Sequence, residues 1–99
     1  MERQLKLLLK TLRPRETREL VGDHVRLVEV GTKPLTATLH VDKRYAFNVL
    51  IARDHIGPVI RGVKKAFGEQ CGTIVKLDAS GFPPESERIL LHPHAVHFR

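Results

Sequence analysis

The chain has 99 residues, of which 41% are hydrophobic and 28% charged, a balance that fits one globular domain with its own core and excludes an intrinsically disordered chain. Seventeen Lys and Arg against eleven Asp and Glu leave a net charge of +6, which favours association with polyanions. No apolar run is long enough to span a bilayer, and the single cysteine, Cys71, excludes both an internal disulfide and a cysteine-rich zinc site.

Leu5, Leu8, Leu9 and Leu12 recur at i, i+3, i+4 and i+7, so residues 2–12 read as an amphipathic helix that ends at Pro14. The run Leu7–Leu9 is bracketed by Lys6 and Lys10 and lacks the h-region and cleavage site of a secretory signal, so the expectation is a cytosolic protein. A second short helix is predicted over Pro14–Val21, with Glu16 and Glu19 near its positive end and Gly22 as its stop. From Val25 to Val30 the residues become β-branched and leucine-rich, and "GTKP" interrupts them. Beyond it Leu35, Ala37, Leu39 and Val41 alternate with Thr36, Thr38 and His40, which predicts a β-hairpin whose second strand buries one face.

Asp42 suits the N-cap of a helix over Lys43–Ala52, with Ala46, Val49 and Leu50 as its buried stripe and Phe47 beside them. Asp54 is expected to cap the next helix, which has Pro58 near its first turn and ends at Gly68. Ile56, Val59, Ile60, Val63 and Phe67 line its core side. Thr73–Leu77 is a third strand, "DASGFPPESER" a turn-rich connector, and "ILLHPHAVHFR" offers a short edge strand before a tail. This order predicts a two-layer α+β sandwich over residues 1–78: a small three-stranded sheet, extendable by a fourth edge strand, with helices on one face, followed by a connector and tail over 79–99.

Catalytic and metal chemistry find little support. "GPVIRGV" has two glycines but lacks the Lys-Ser/Thr of a P-loop and lies inside a helix. No two glycines stand three apart, so the G-x-x-G clamp of nucleic-acid-binding KH domains is absent. His92, His94 and His97 are closely spaced but have no neighbouring carboxylate or thiolate to complete a tetrahedral set, and they read as a solvated, proline-broken tail. Cys71 has no adjacent base and reads as a small buried residue. His24, His40 and His55 are scattered and read as surface residues without a paired group. No catalytic residue, metal site or cofactor is assigned.

The basic residues carry the functional signal. Residues 1–20 hold six basic and three acidic side chains, and residues 51–79 five and three. Arg61, Lys64 and Lys65 stand at i, i+3 and i+4 on one helix surface, and Lys6, Lys10, Arg13, Arg15 and Arg18 form a second concentration. Both suit contact with a phosphate backbone, although each is also compatible with an ordinary solvated helix back. Tyr45 and four Phe, with no Trp, provide little for base stacking, so contact is expected to be electrostatic and sequence-tolerant.

Val21-Gly22, the strand Leu35–Val41, and Tyr45-Ala46 with Leu50 give the chain a pattern that resembles the DciA family of replicative-helicase loaders. The succession of a strand, an aromatic at a helix start, a second helix and a final strand over Leu39–Leu77 is similar to the amino-terminal domain of the bacterial initiator DnaA. The resemblance spans roughly residues 5–78. Tyr45 or Val49 stands where those families usually carry tryptophan, and no AAA+ ATPase segment accompanies them. The resemblance implies a KH-like fold and a non-enzymatic adaptor that touches DNA and the replicative helicase, with Tyr45 as the aromatic facing the helicase. Two other readings of the same residues are an RNA-binding or ribosome-associated module and a protein-only interaction domain such as a homodimer. None of the three requires a membrane.

Overall fold

The computed structural model describes residues 2–78 and the strand Arg88–Leu91. Its order is α1 (Arg3–Thr11), α2 (Arg15–His24), β1 (Val25–Thr32), β2 (Leu35–Val41), α3 (Arg44–Leu50), α4 (Arg53–Phe67), β3 (Gly72–Leu77) and β4 (Arg88–Leu91). The protein is an α+β fold with one four-stranded sheet in the order β1-β2-β3-β4. β1 and β2 pair antiparallel, as a two-residue connection requires. β2 and β3 pair parallel because α3 and α4 carry the chain back to the starting end, and β4 adds antiparallel to β3 at the edge.

Register divides the sheet into two faces. Ala37 pairs with Thr73, Leu39 with Val75 and Val41 with Leu77, while Val28 and Val30 stand opposite Leu39 and Ala37. These apolar residues join the core with Leu5, Leu8 and Leu12 of the first helical segment, Ala46, Phe47 and Leu50 of α3, and Ile56, Val59, Ile60 and Val63 of α4. The helices thus cover one side of the sheet. The opposite face carries Leu27, Glu29, Thr36, Thr38, His40, Ile74 and Lys76 by the two-residue alternation of strands.

The start of α1 is fixed by Glu2, whose carboxylate accepts the Leu5 N–H at 3.0 and 3.1 Å. Several local expectations are corrected. α2 runs through Gly22 to His24 and passes directly into β1, since Gly22 has no left-handed backbone to end the helix. Asp42 does not cap α3, because its carboxylate is held by His24 and Arg26; α3 begins at Arg44, after Lys43. Asp54 lies in the first turn of α4, and the cap position is Ala52. Pro58 falls in the second turn, where it has no N–H to give the Asp54 carbonyl. Val49 is 41% exposed rather than core, because Phe47 takes the buried place between Ala46 and Leu50.

Two glycines are needed where they stand. Gly68 ends α4 at φ 123°, in the region closed to most side chains. Gly62 lets α1 approach α4 closely: a Cβ there would lie 2.6 Å from Leu12 Cδ2, and the Thr11 hydroxyl, 2.7 Å from the Leu8 carbonyl, also lies 2.8 Å from that of Gly62.

Candidate functional site

The hairpin register that sets Val25 opposite Val41 brings the next residues outward, His24 and Asp42, together. The Asp42 N–H donates to the His24 carbonyl at 3.0 Å, and Asp42 Oδ1 lies 3.0 Å from His24 Nδ1. Arg26, in the irregular first step of β1, donates from Nε at 3.0 Å and from a terminal nitrogen at 2.8 Å to Asp42 Oδ2. On the far side of the imidazole, Nε2 is 3.0 Å from the Tyr45 hydroxyl, and the two rings meet edge-to-face with centroids 5.2 Å apart. Tyr45 is nevertheless 58% exposed, and Val49 stands one turn further along α3 on the outside. The result is an exposed aromatic whose position is fixed by a chain of hydrogen bonds running Arg26–Asp42–His24–Tyr45.

The eight basic residues singled out by sequence are placed unequally. Lys6, Lys10, Arg13, Arg15, Arg18, Arg61 and Lys65 are exposed and Lys64 is half-buried. Arg15 pairs with Glu19 one turn on at 3.8 Å, both well solvated, and is partly neutralised. Arg13 turns back on the end of α1 and donates to the Leu12 carbonyl at 2.7 Å, which leaves its other donors open. For Lys6, Lys10, Arg18, Arg61, Lys64 and Lys65 no carboxylate among the described residues lies within ion-pair distance. The Thr11–Gly62 contact joins the two helices that carry most of these cations, with Arg13 following Leu12 and Arg61 preceding Gly62 in sequence. α2 contributes less: Glu16, Glu19 and Asp23 accompany Arg15 and Arg18 on it.

The sheet's other face is of different character. His40 is buried and both its ring nitrogens meet carboxylates, Nε2 that of Glu29 on β1 and Nδ1 that of Asp78 after β3. Lys76 lies 3.6 Å from Asp78. Glu29 and Asp78 lie on this side together with Lys76, and no aromatic residue occupies its described positions. His55 of α4 bonds through Nδ1 to the fully buried Thr17 hydroxyl at 2.8 Å and ties α2 to α4. All three histidines therefore have partners, which corrects the reading of them as scattered surface residues.

Cys71 is buried as expected, and burial pushes its thiol pKa up, away from thiolate reactivity. Among the described residues no group of three or more His, Cys, Asp or Glu could hold a metal ion. His92, His94 and His97 lie outside the described residues. No helix among the described residues is long and apolar enough to cross a membrane. Comparison with protein-family models, curated proteins and solved structures returned no match for this chain.

The Asp42–His24–Tyr45 chain is invisible to a search for neighbours along the sequence, because its members are 18 and 21 residues apart. Its signal is the hairpin itself: residues just before the first strand and just after the second must meet if the strands pair in register.

Proposed function

We propose that this domain is a cytoplasmic, non-enzymatic adaptor of DNA replication that holds DNA weakly through the cations of α1 and α4 and recruits the replicative helicase through Tyr45. The observation that carries this reading is the coexistence of two surfaces on one small body. One consists of helix-borne Lys and Arg that no described carboxylate neutralises. The other is an aromatic left 58% exposed although three side chains hold it in place. A tyrosine serving only the core edge would bury its ring, and cations serving only solubility would more often be laced with carboxylates. The helix-helix-strand-strand-helix-helix-strand order supports the resemblance to the replication modules.

The test is twofold. DNA affinity measured across a salt series should fall steeply, and the triple Arg61/Lys64/Lys65→Ala variant should flatten the log–log slope by about 0.9 for each phosphate that is no longer neutralised. The replicative helicase of the same genome should co-migrate with the wild-type domain in size exclusion, and should bind Tyr45→Ala at least about tenfold less tightly, the effect of removing one aromatic anchor. Salt-insensitive DNA binding or absence of a helicase complex overturns the corresponding half of the proposal, and tighter binding to RNA of equal length moves the first half to an RNA module.

A further inference from the structure

The Tyr45 surface has a hydrogen-bond polarity that specifies what can dock on it. Asp42 accepts two bonds from the Arg26 guanidinium and one from His24, at 2.8–3.0 Å. A carboxylate paired to a guanidinium is an acceptor only, so the proton between Asp42 and His24 belongs to Nδ1. In the neutral ring Nε2 then carries a lone pair, and the Tyr45 hydroxyl, 3.0 Å away, must donate to it. The single phenolic hydrogen is thereby turned inward and only oxygen lone pairs face the solvent. His24 and Asp42 side chains are 17% and 16% exposed, so water competes poorly for the bond between them, while the Tyr45–His24 bond forms the exposed end of the chain.

We propose that Tyr45 is an obligate hydrogen-bond acceptor at its docking surface, and that the partner places there an aromatic or apolar group bearing a neutral N–H, such as an indole or an amide. This rests on the reading of Tyr45 as a docking residue and specifies the chemistry of its partner. The apolar half of the requirement comes from the Tyr45 ring and from Val49, 41% exposed one turn on. The neutral half comes from charge. Lys43 is exposed two residues before Tyr45, the Arg26 side chain is 71% exposed beside Asp42, and the chain as a whole carries +6. A lysine or arginine head would meet like charge at this surface, whereas an indole or amide N–H would not. His24 and Asp42 act here as positioning residues: they fix the direction of the tyrosine's hydrogen and make no contact with the partner themselves.

Two measurements on the isolated domain test this without the helicase. Long-range proton–nitrogen correlation NMR on histidine-labelled protein, recorded at a pH where free imidazole is neutral, should show His24 with Nδ1 protonated and Nε2 bare; the opposite tautomer or a doubly protonated ring overturns the proposal. Titration with indole and with N-methylindole, followed by shifts at Tyr45 and Val49, should show indole binding about fivefold more tightly, the fold-change for one net neutral hydrogen bond. In Tyr45→Phe the two probes should bind alike. Equal binding of both probes to the wild-type domain overturns the inference, even where the helicase complex forms. A clear preference for indole upholds it, even where the helicase proves not to be the partner.

Discussion

Substituting Gly62 by alanine is expected to destabilise the protein although alanine is the better helix former. An ideal Cβ on Gly62 would sit 2.6 Å from Leu12 Cδ2, 3.2 Å from Thr11 Oγ1 and 3.4 Å from Leu12 Cγ. Carbon atoms rest at about 3.5–4.0 Å, so the shortfall at Leu12 is about 1 Å. Leu12 is wholly buried and has nowhere to retreat. Overpacking of this kind costs about 1–3 kcal/mol. Moving α1 outward instead stretches the 2.8 Å contact from Thr11 to the Gly62 carbonyl, which contributes at most about 1 kcal/mol because the same hydrogen is shared with the Leu8 carbonyl at 2.7 Å. Against this stands a helix-propensity gain of about 1 kcal/mol. The net expectation is a loss of up to about 2 kcal/mol, or a fall in Tm of up to roughly 15 °C in a domain of this size.

Gly57 supplies the control, because it lies in the same helix. Its added Cβ would meet only the guanidinium end of Arg61, with the terminal nitrogen at 3.2 Å, and that exposed side chain can swing aside. There the propensity gain of about 1 kcal/mol is set against crowding of the new Cβ by the Pro58 ring that follows, so Gly57→Ala should stay within about 1 kcal/mol of the wild type. Urea unfolding of both variants, with m unchanged, measures the contrast. A Gly62→Ala protein as stable as the wild type, or more stable than Gly57→Ala, would refute the claim that the α1–α4 contact depends on a missing side chain.

Asp42→Ala should cost about 1–3 kcal/mol in the same assay, because it strands the largely buried His24 Nδ1–H. Arg26→Ala should cost less than about 1 kcal/mol, since its guanidinium is 71% exposed, and equal effects would show that the His24 bond carries no special weight. For Cys71 the sign follows from burial: its folded-state pKa lies above the ordinary value of 9.0, so at higher pH the unfolded chain ionises first. Its contribution is fully present below that value and is lost as pH rises through the folded pKa. Wild-type stability should therefore fall relative to Cys71→Ala as the pH is raised past 9.0, and parallel pH profiles would contradict the assignment.

Where sequence and structure agree, the reason is that hydrophobic periodicity records burial directly. Leu5, Leu8 and Leu12, the alternation of Leu35–Val41 and the stripe Ile56–Val63 all lie in or against the core they imply. Where they part, a tertiary partner outweighs a local preference. Asp42 is a good helix cap in isolation, but His24 and Arg26 reach its carboxylate across the hairpin. His40 occupies an outward position of β2, yet Glu29 and Asp78 enclose it from the neighbouring strands. Val49 fits an i, i+3, i+4 stripe with Ala46 and Leu50, but Phe47 is larger and fills the same space, so the two-turn helix rolls toward it. Of the candidate residues, the unneutralised cations are visible as clusters in the sequence. The support beneath Tyr45 is not, because only the pairing of β1 with β2 creates it.

The same core that fixes the fold also couples the two proposed surfaces. α4 faces the sheet with Ile56, Val59, Ile60 and Val63, receives α1 at Gly62 and turns Arg61 and Lys65 outward. α3 precedes it across only Ile51 and Ala52, and Phe47 and Leu50 anchor α3 in the same apolar cluster. The cations and Tyr45 therefore belong to one packed body and are not joined by a linker. Binding a polyanion and a protein together then incurs no further entropy for ordering one surface relative to the other. If both proposed contacts are made and the bound protein itself sits on the same polyanion, the two contacts add on one rigid body, and neither needs to be strong alone.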